Sequence, residues 1–277
     1  MDLGGVTLRL TEALGLEGQW WFAFIQSFVV LALFAVAYMP IERMWSMRAQ
    51  GIMRPRWATD LAFFFGQYWV FAFVAAYVLA RARALIGVTS PEWFARCPLA
   101  VQVVLVIALG DLCAYWAHRA QHRFDLLWRF HAVHHTSEHL DWLAAHREHP
   151  LDGIYTQLAV NLPAMLLGFG MGPIFWLVTF RGMWSILIHS NTRLPLGPLK
   201  HLLGGPELHH WHHAKDRDAP NYGNLAPWTD LVFGTHACPP EPPGELGIDQ
   251  PAATSYLGLL LWPFNRTRRP FRFTMFL

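Results

Sequence analysis

Residues 20 to 39 (WWFAFIQSFVVLALFAVAYM) and 61 to 80 (LAFFFGQYWVFAFVAAYVLA) contain no charged side chain. Each is about the 20 residues needed to cross the hydrocarbon core of a bilayer as a helix. The whole chain agrees, being 54% hydrophobic and only 14% charged, with a positive mean hydropathy. A third stretch, 98 to 117 (PLAVQVVLVIALGDLCAYWA), holds a single acid, Asp111, and runs directly into a histidine cluster. The residues before the first stretch lack a basic n-region, and the stretch is too long for a signal-peptide core, so it is expected to stay as an anchor.

A fourth apolar region, 153 to 188, has Arg181 as its one charge and is interrupted by GFGMGP, with Gly168, Gly170, Gly172 and Pro173 in six residues. So dense a breaker predicts a helical hairpin. Each arm is then about 14 residues, roughly 21 Å at 1.5 Å per residue. A single tilted helix would put His149 and His189 on opposite sides of the membrane, whereas a hairpin returns both to one side. Arg43, Arg48, Arg54 and Arg56, with Arg119, Arg123 and Arg129, outweigh Arg81, Arg83 and Arg96. This places residues 41 to 58 and everything from about 118 on the cytoplasmic side. Beyond residue 189 Pro and Gly are frequent, and the apolar run SYLGLLLWPF (255 to 264) is too short to span, so it is read as interfacial or packed.

The predicted fold is all-α. A single membrane-embedded domain, residues 1 to 277, has about four transmembrane helices, the last pair a hairpin, and a cytosolic helical cap formed by 118 to 150 and 189 to 277. A net charge of +2 gives no ground for a nucleic-acid partner. Arg266, Arg268, Arg269 and Arg272 make a basic tail that suits anionic headgroups or is ordinary flanking charge. Cys97, Cys113 and Cys238 have neither disulfide nor zinc-site spacing.

The histidines fall into three clusters: HRAQH (118 to 122), HAVHH (131 to 135) and HHWHH (209 to 213). On a helix, positions three and four apart share a face. His118 and His122 therefore point together, as do His131, His134 and His135, and His209, His212 and His213. This is more imidazole than one ion can bind, which points to two metals. His149 and His189 flank the hairpin and are expected as further ligands. His139, His146, His201, His210 and His236 are read as solvent-facing or supporting. Asp111, Tyr115, His118 and His122 form one helical stripe, so Asp111 is expected to accept a hydrogen bond from a ligand's second ring nitrogen or from Tyr115, the two fixing ligand orientation. Trp116, Trp142 and Trp184 either bound a lipid channel or form an interfacial belt.

Several chemistries lack their machinery. There is no H-E-x-x-H, G-x-S-x-G, P-loop or G-x-G-x-x-G. Only Glu207 and His210 have the Glu-x-x-His spacing of carboxylate-bridged di-iron bundles. A nitrogen-rich metal pair beside a bilayer suits O₂ activation near an unactivated C–H bond, with a lipid as substrate. A zinc-dependent lipid hydrolase, using Glu138, Glu148 or Glu207 as acid or base, is the competing reading. A metal carrier would need polar residues along the spans, and the first two offer almost none.

Together, DLCAYWAHRAQH, HAVHHTSEHLDW with REHPLD, HSNTRLPLGPL, HHWHHA and NYGNLAPWTDLVFGT resemble the fatty acid hydroxylase and sterol desaturase superfamily, bacterial branch, over about residues 105 to 236. The resemblance implies two iron ions, O₂ as co-substrate and hydroxylation or desaturation of a lipid. It also implies a separate electron donor of ferredoxin, cytochrome b5 or reductase type, in an integral protein of the bacterial inner membrane. Ligand roles pass to His118, His122, His131, His134, His135, His189, His209, His212 and His213, with His149 at the HP position. Some relatives carry a histidine one turn before His189. Ser185 stands there, and His149 is expected to compensate.

Overall fold

A computed structural model describes residues 20–215, 220–250 and 252–265. Its helices are α1 (Trp20–Met44), α2 (Trp57–Gly66), α3 (Ala72–Ile86), α4 (Glu92–Ala95), α5 (Leu99–Arg123), α6 (Asp125–His135), α7 (Pro150–Leu166), α8 (Met171–His189), α9 (Lys200–Leu203), α10 (Pro206–His212), α11 (Trp228–Phe233) and α12 (Tyr256–Leu261). A π turn, Gln67–Phe71, joins α2 and α3 into one continuous rod. No β-strand occurs among the described residues, only two isolated bridges. The basic tail at 266 to 272 lies outside the described residues.

Four segments are long and apolar enough to cross a membrane: Phe24–Met44, Trp57–Ile86, Leu99–Arg123 and Met171–His189. Phe28, Leu33 and Val36 of the first, Val104 of the third and Phe175 and Phe180 of the fourth are exposed. An exposed apolar belt of this kind suits a helix that faces lipid. The hairpin is present: α7 and α8 are joined through Leu167–Gly170. Its arms, of 17 and 19 residues, are longer than expected. Pro150 starts the first arm at the N1 position that suits proline, and the second runs to His189. Gly168 makes the turn at φ +76, where a Cβ would collide with the Thr89 carbonyl.

Phe94, Val106, Ala114, Val160, Ala164, Met165, Phe169, Ile174 and Leu177 form the core that holds α4, α5, α7 and α8 together. Phe94 and Phe169 stack there with ring centroids 4.0 Å apart. A second core clamps the cap to α2 through Phe63, Trp128, Ala132, Val133, Leu259 and Trp262. The 255 to 264 run is therefore packed, while Leu257, Leu261 and Phe264 remain exposed on its outer side. Trp142 is a core residue beside Tyr38, Phe64 and Ile186 rather than a belt residue. Trp116 is exposed and packs on Phe233.

Phe124 determines how the site is assembled. It ends α5 in extended backbone at φ −106, ψ 121, and α6 restarts at Asp125. The chain folds back sharply, and the last two turns of α5 face the last two of α6. His118 and His122 thereby meet His131 and His135.

Candidate metal centre

Two adjoining groups of ring nitrogens form at the cap end of α5 and α8. His118, His122, His131, His135 and His212 make one, and His134, His189, His209 and His213 the other; within each, the potential ligand atoms lie within 4.8 Å of one another. The groups share a wall, where the His135 ring stacks on His213 with centroids 4.3 Å apart. The adjacent histidines of α6 diverge at this wall. His135 joins the first group and His134 the second.

The hydrogen bonds fix the tautomers. The Nδ1 of His118 faces the Tyr222 carbonyl at 2.9 Å, that of His134 the Arg147 carbonyl at 3.0 Å, that of His189 the Ser185 carbonyl at 2.6 Å and that of His212 the Pro220 carbonyl at 2.8 Å. A carbonyl only accepts, so each Nδ1 carries the proton. His131 donates its Nδ1–H to Asp152 Oδ2 at 2.9 Å. In each neutral ring the Nε2 is then an acceptor. Yet His118 Nε2 and His131 Nε2 stand 3.1 Å apart, and His134 Nε2 and His189 Nε2 stand 2.9 Å apart. One pair of opposed lone pairs occurs in each group.

A proton between such rings would relieve the conflict, but burial opposes it. The His134 pKa is pushed down to about 4 by burial and then by nearby His131, and that of His212 to about 3 by burial. His135, His209 and His213 are pushed well below the ordinary value by burial and by their neighbouring rings. A cation in each group resolves the conflict, because every converging nitrogen then has a partner. His122 Nε2 and His212 Nε2, both buried without a hydrogen bond, fit the same assignment. Imidazole donors suit Fe, Zn, Cu or Ni.

The depressed pKa values give a pH prediction. With native values near 4 and 3 against 6.5 in the unfolded chain, the unfolded state takes up protons first as pH falls. Stability is therefore steady above pH 6.5 and is lost progressively below it, and protons compete with metal over the same window. Metal content and thermal midpoint, followed by elemental analysis and scanning fluorimetry, are expected to be flat from pH 8 to 6.5 and to fall together toward pH 4. An unchanged midpoint at pH 4.5 would contradict the assignment.

Several expected residues stand elsewhere. His149 joins neither group: its Nδ1 accepts from the Leu151 N–H, capping α7, and its Nε2 donates to the Leu260 carbonyl at 3.1 Å. Both nitrogens are committed, so it does not compensate for Ser185. Asp111 accepts from the Leu225 N–H at 3.0 Å and Trp228 Nε1 at 2.9 Å, and bonds neither Tyr115 nor a histidine nitrogen. Tyr115 pairs with Thr235 Oγ1 at 3.0 Å and accepts from Arg119. The two residues act one step removed, holding the 222 to 235 segment whose Tyr222 carbonyl takes His118.

Sequence reasoning missed Asp152 and Asp230. Asp152 also accepts from Gln121 at 2.6 Å, so both of its oxygens are used. Asp230 pins the same segment through the Tyr222 and Gly223 N–H groups and Thr235 Oγ1. His210, read as solvent-facing or supporting, is fully buried, donates its Nε2–H to the Ser190 carbonyl at 3.0 Å and belongs to neither group. His146 is buried against Gln67, while His201 and His236 pair with each other toward the surface. Glu138 and Glu207 pair with Arg56 and Arg193, outside the chamber.

The comparisons with known proteins follow the same residues. Residues 103–235 match the fatty acid hydroxylase family. The chain is 30% identical over 262 residues to ornithine lipid hydroxylase OlsE of Rhizobium tropici, covering 90% of this chain and 77% of that protein. It is 30% identical over 138 residues to Delta(7)-sterol 5(6)-desaturase ERG3A of Gibberella zeae, covering 50% of this chain and 38% of the relative. It is 32% identical over 129 residues to alkylglycerol monooxygenase of Homo sapiens, covering 45% and 28%. No solved structure matches the chain.

Proposed function

The chain belongs to the fatty acid hydroxylase and sterol desaturase superfamily, and on that premise we propose that the two histidine groups hold two iron ions that serve O₂-dependent hydroxylation or desaturation of a membrane lipid. Proteins of this family hydroxylate or desaturate lipids. The observation that carries the metal assignment is the pair of opposed Nε2 lone pairs, one in each group.

His118, His122, His131, His135 and His212 would hold one ion, and His134, His189, His209 and His213 the other. When bound, the iron pair supplies the redox chemistry that lets O₂ attack an unactivated C–H bond. Asp152 and the carbonyls of Arg147, Ser185, Pro220 and Tyr222 keep a proton on the Nδ1 of His131, His134, His189, His212 and His118 and so aim their Nε2 inward. The two groups lie at the ends of Leu99–Arg123 and Met171–His189, beside the bilayer from which a lipid substrate would come. Electrons come from a separate donor of ferredoxin, cytochrome b5 or reductase type. The arginine distribution supports a chamber on the cytoplasmic side of an inner membrane. The name of the most extensively aligned relative reported above favours an aminoacyl lipid as substrate class.

The test is metal content of the detergent-purified protein, with Mössbauer spectra before and after reductant and O₂, followed by lipid mass spectrometry. Two irons per chain, an O₂-sensitive spectrum and a lipid gaining one oxygen or losing two hydrogens are expected. Lipid cleavage under anaerobic conditions with zinc bound would replace this reading by the hydrolase.

A further inference from the structure

Arg181 is the single charged residue of α8, two turns from His189, or about 12 Å along the helix at 1.5 Å per residue. Among the described residues its guanidinium has no carboxylate within 4.0 Å, and its Nε is buried with no hydrogen-bond partner. Two carboxyl groups act on it electrostatically, Asp111 and Glu148. Asp111 already has both oxygens engaged by Leu225 and Trp228. Glu148, whose carboxyl burial and then Asp152 push above its ordinary range, bonds Gln67 instead. A membrane-embedded guanidinium left without an anion marks a functional interior.

The neighbourhood is built for a polar guest. One turn nearer His189, Trp184 buries an indole Nε1 that has no acceptor. Segment Ala144–His146 packs directly on α8. Opposite lies the π turn Gln67–Phe71, a departure from α geometry that is frequent at functional sites. Gln67 in that turn bonds Glu148 Oε2 at 3.4 Å and His146 Nδ1 at 2.9 Å, and His146 Nε2 is itself buried without a partner. A Cβ on Gly153 would come within 2.8 Å of Glu148 Oε2, so the bare glycine is what admits this carboxyl.

We propose that Arg181 and Trp184, one turn apart on α8, form a recess that binds an anionic oxygen of the substrate's polar group, a carboxylate or a phosphate. This inference rests on the reading of the chain as a lipid oxidoreductase and deepens it. Arg181 is the charge partner, and Trp184 Nε1, one turn along the helix, is an unspent N–H donor beside it.

The test uses the full chain loaded with zinc, so that nothing turns over, in neutral detergent micelles. Native mass spectrometry compares retention of an N-acylated amino acid with a free carboxylate, phosphatidylglycerol and uncharged diacylglycerol. The wild type is expected to retain an anionic lipid at least tenfold over diacylglycerol, and whichever anionic lipid is preferred identifies the source. Arg181→Leu should abolish the preference and Arg181→Lys should keep part of it, with metal count unchanged in both. Wild-type retention of anionic lipid by Arg181→Leu at full metal content would overturn the proposal. Should that variant lose metal, a carboxylate lipid with a diazirine beside its headgroup decides the matter on the wild type: labelling of residues 177 to 188 supports the recess, and labelling confined elsewhere overturns it. Arg181-dependent binding in a chain that never oxidises lipid when iron-loaded would sink the oxidoreductase reading while leaving the recess in place.

Discussion

Replacing His134 with alanine is expected to leave one metal per chain where the wild type holds two, and to reduce lipid oxidation by more than the roughly 10–100-fold that loss of a supporting partner costs a metal site. His134 is one of four nitrogens in its group, and its Nε2 faces His189 at 2.9 Å. The five nitrogens of the other group are untouched, so the loss should be confined to one ion. His149→Ala is the matched control. It lies outside both groups, so both metals and most activity should persist, with a stability loss of about 1 kcal/mol for the helix cap it removes. Elemental analysis of the two purified variants checks both outcomes. Loss of metal from His149→Ala with retention in His134→Ala would reverse the ligand assignment.

That pair of variants separates what the sequence discloses from what it does not. The spacing of His118 with His122, and of His131 with His135, is local, and a helix converts it directly into a shared face. GFGMGP disclosed the hairpin for the same reason, since turn chemistry acts over a few residues. The division of the nitrogens was not legible, because the adjacent His134 and His135 serve different groups and only the packing of α10 against α8 shows which. Asp152 was hidden too: an acid in the first turn of a helix ordinarily serves the helix dipole, and nothing local says that it reaches His131 across 21 residues. His149 misled by its setting in REHP, where histidine before proline suits a helix cap as well as a ligand. Asp111 was expected to act on a ring and acts instead on a segment more than a hundred residues away.

Asp60→Asn is expected to cost about 3–5 kcal/mol of stability, the penalty for breaking a buried ion pair by removing one partner, and to loosen the metal held by His134. Asp60, in the first turn of α2, is fully buried between two arginines, with Arg54 at 2.7 Å and Arg147 at 2.5 Å. Arg54 keeps a second carboxylate, gripping Asp141 at 2.6 and 2.7 Å. Arg147 has no other among the described residues: its remaining side-chain hydrogen bond there is to Thr136 Oγ1 at 3.4 Å. The substitution therefore strands Arg147 in particular, and the Arg147 carbonyl is what holds His134 Nδ1. A second variant, Asp60→Leu with Arg147→Met, separates the two effects. Replacing a buried pair by apolar groups is often neutral or stabilising, so thermal stability should largely return, and the carbonyl of residue 147 stays on the backbone. If metal affinity returns with it, the ion pair serves the fold. If affinity stays roughly 10–100-fold down while the midpoint recovers, the guanidinium itself positions the carbonyl, and Asp60 acts on the metal through Arg147 and His134 in series.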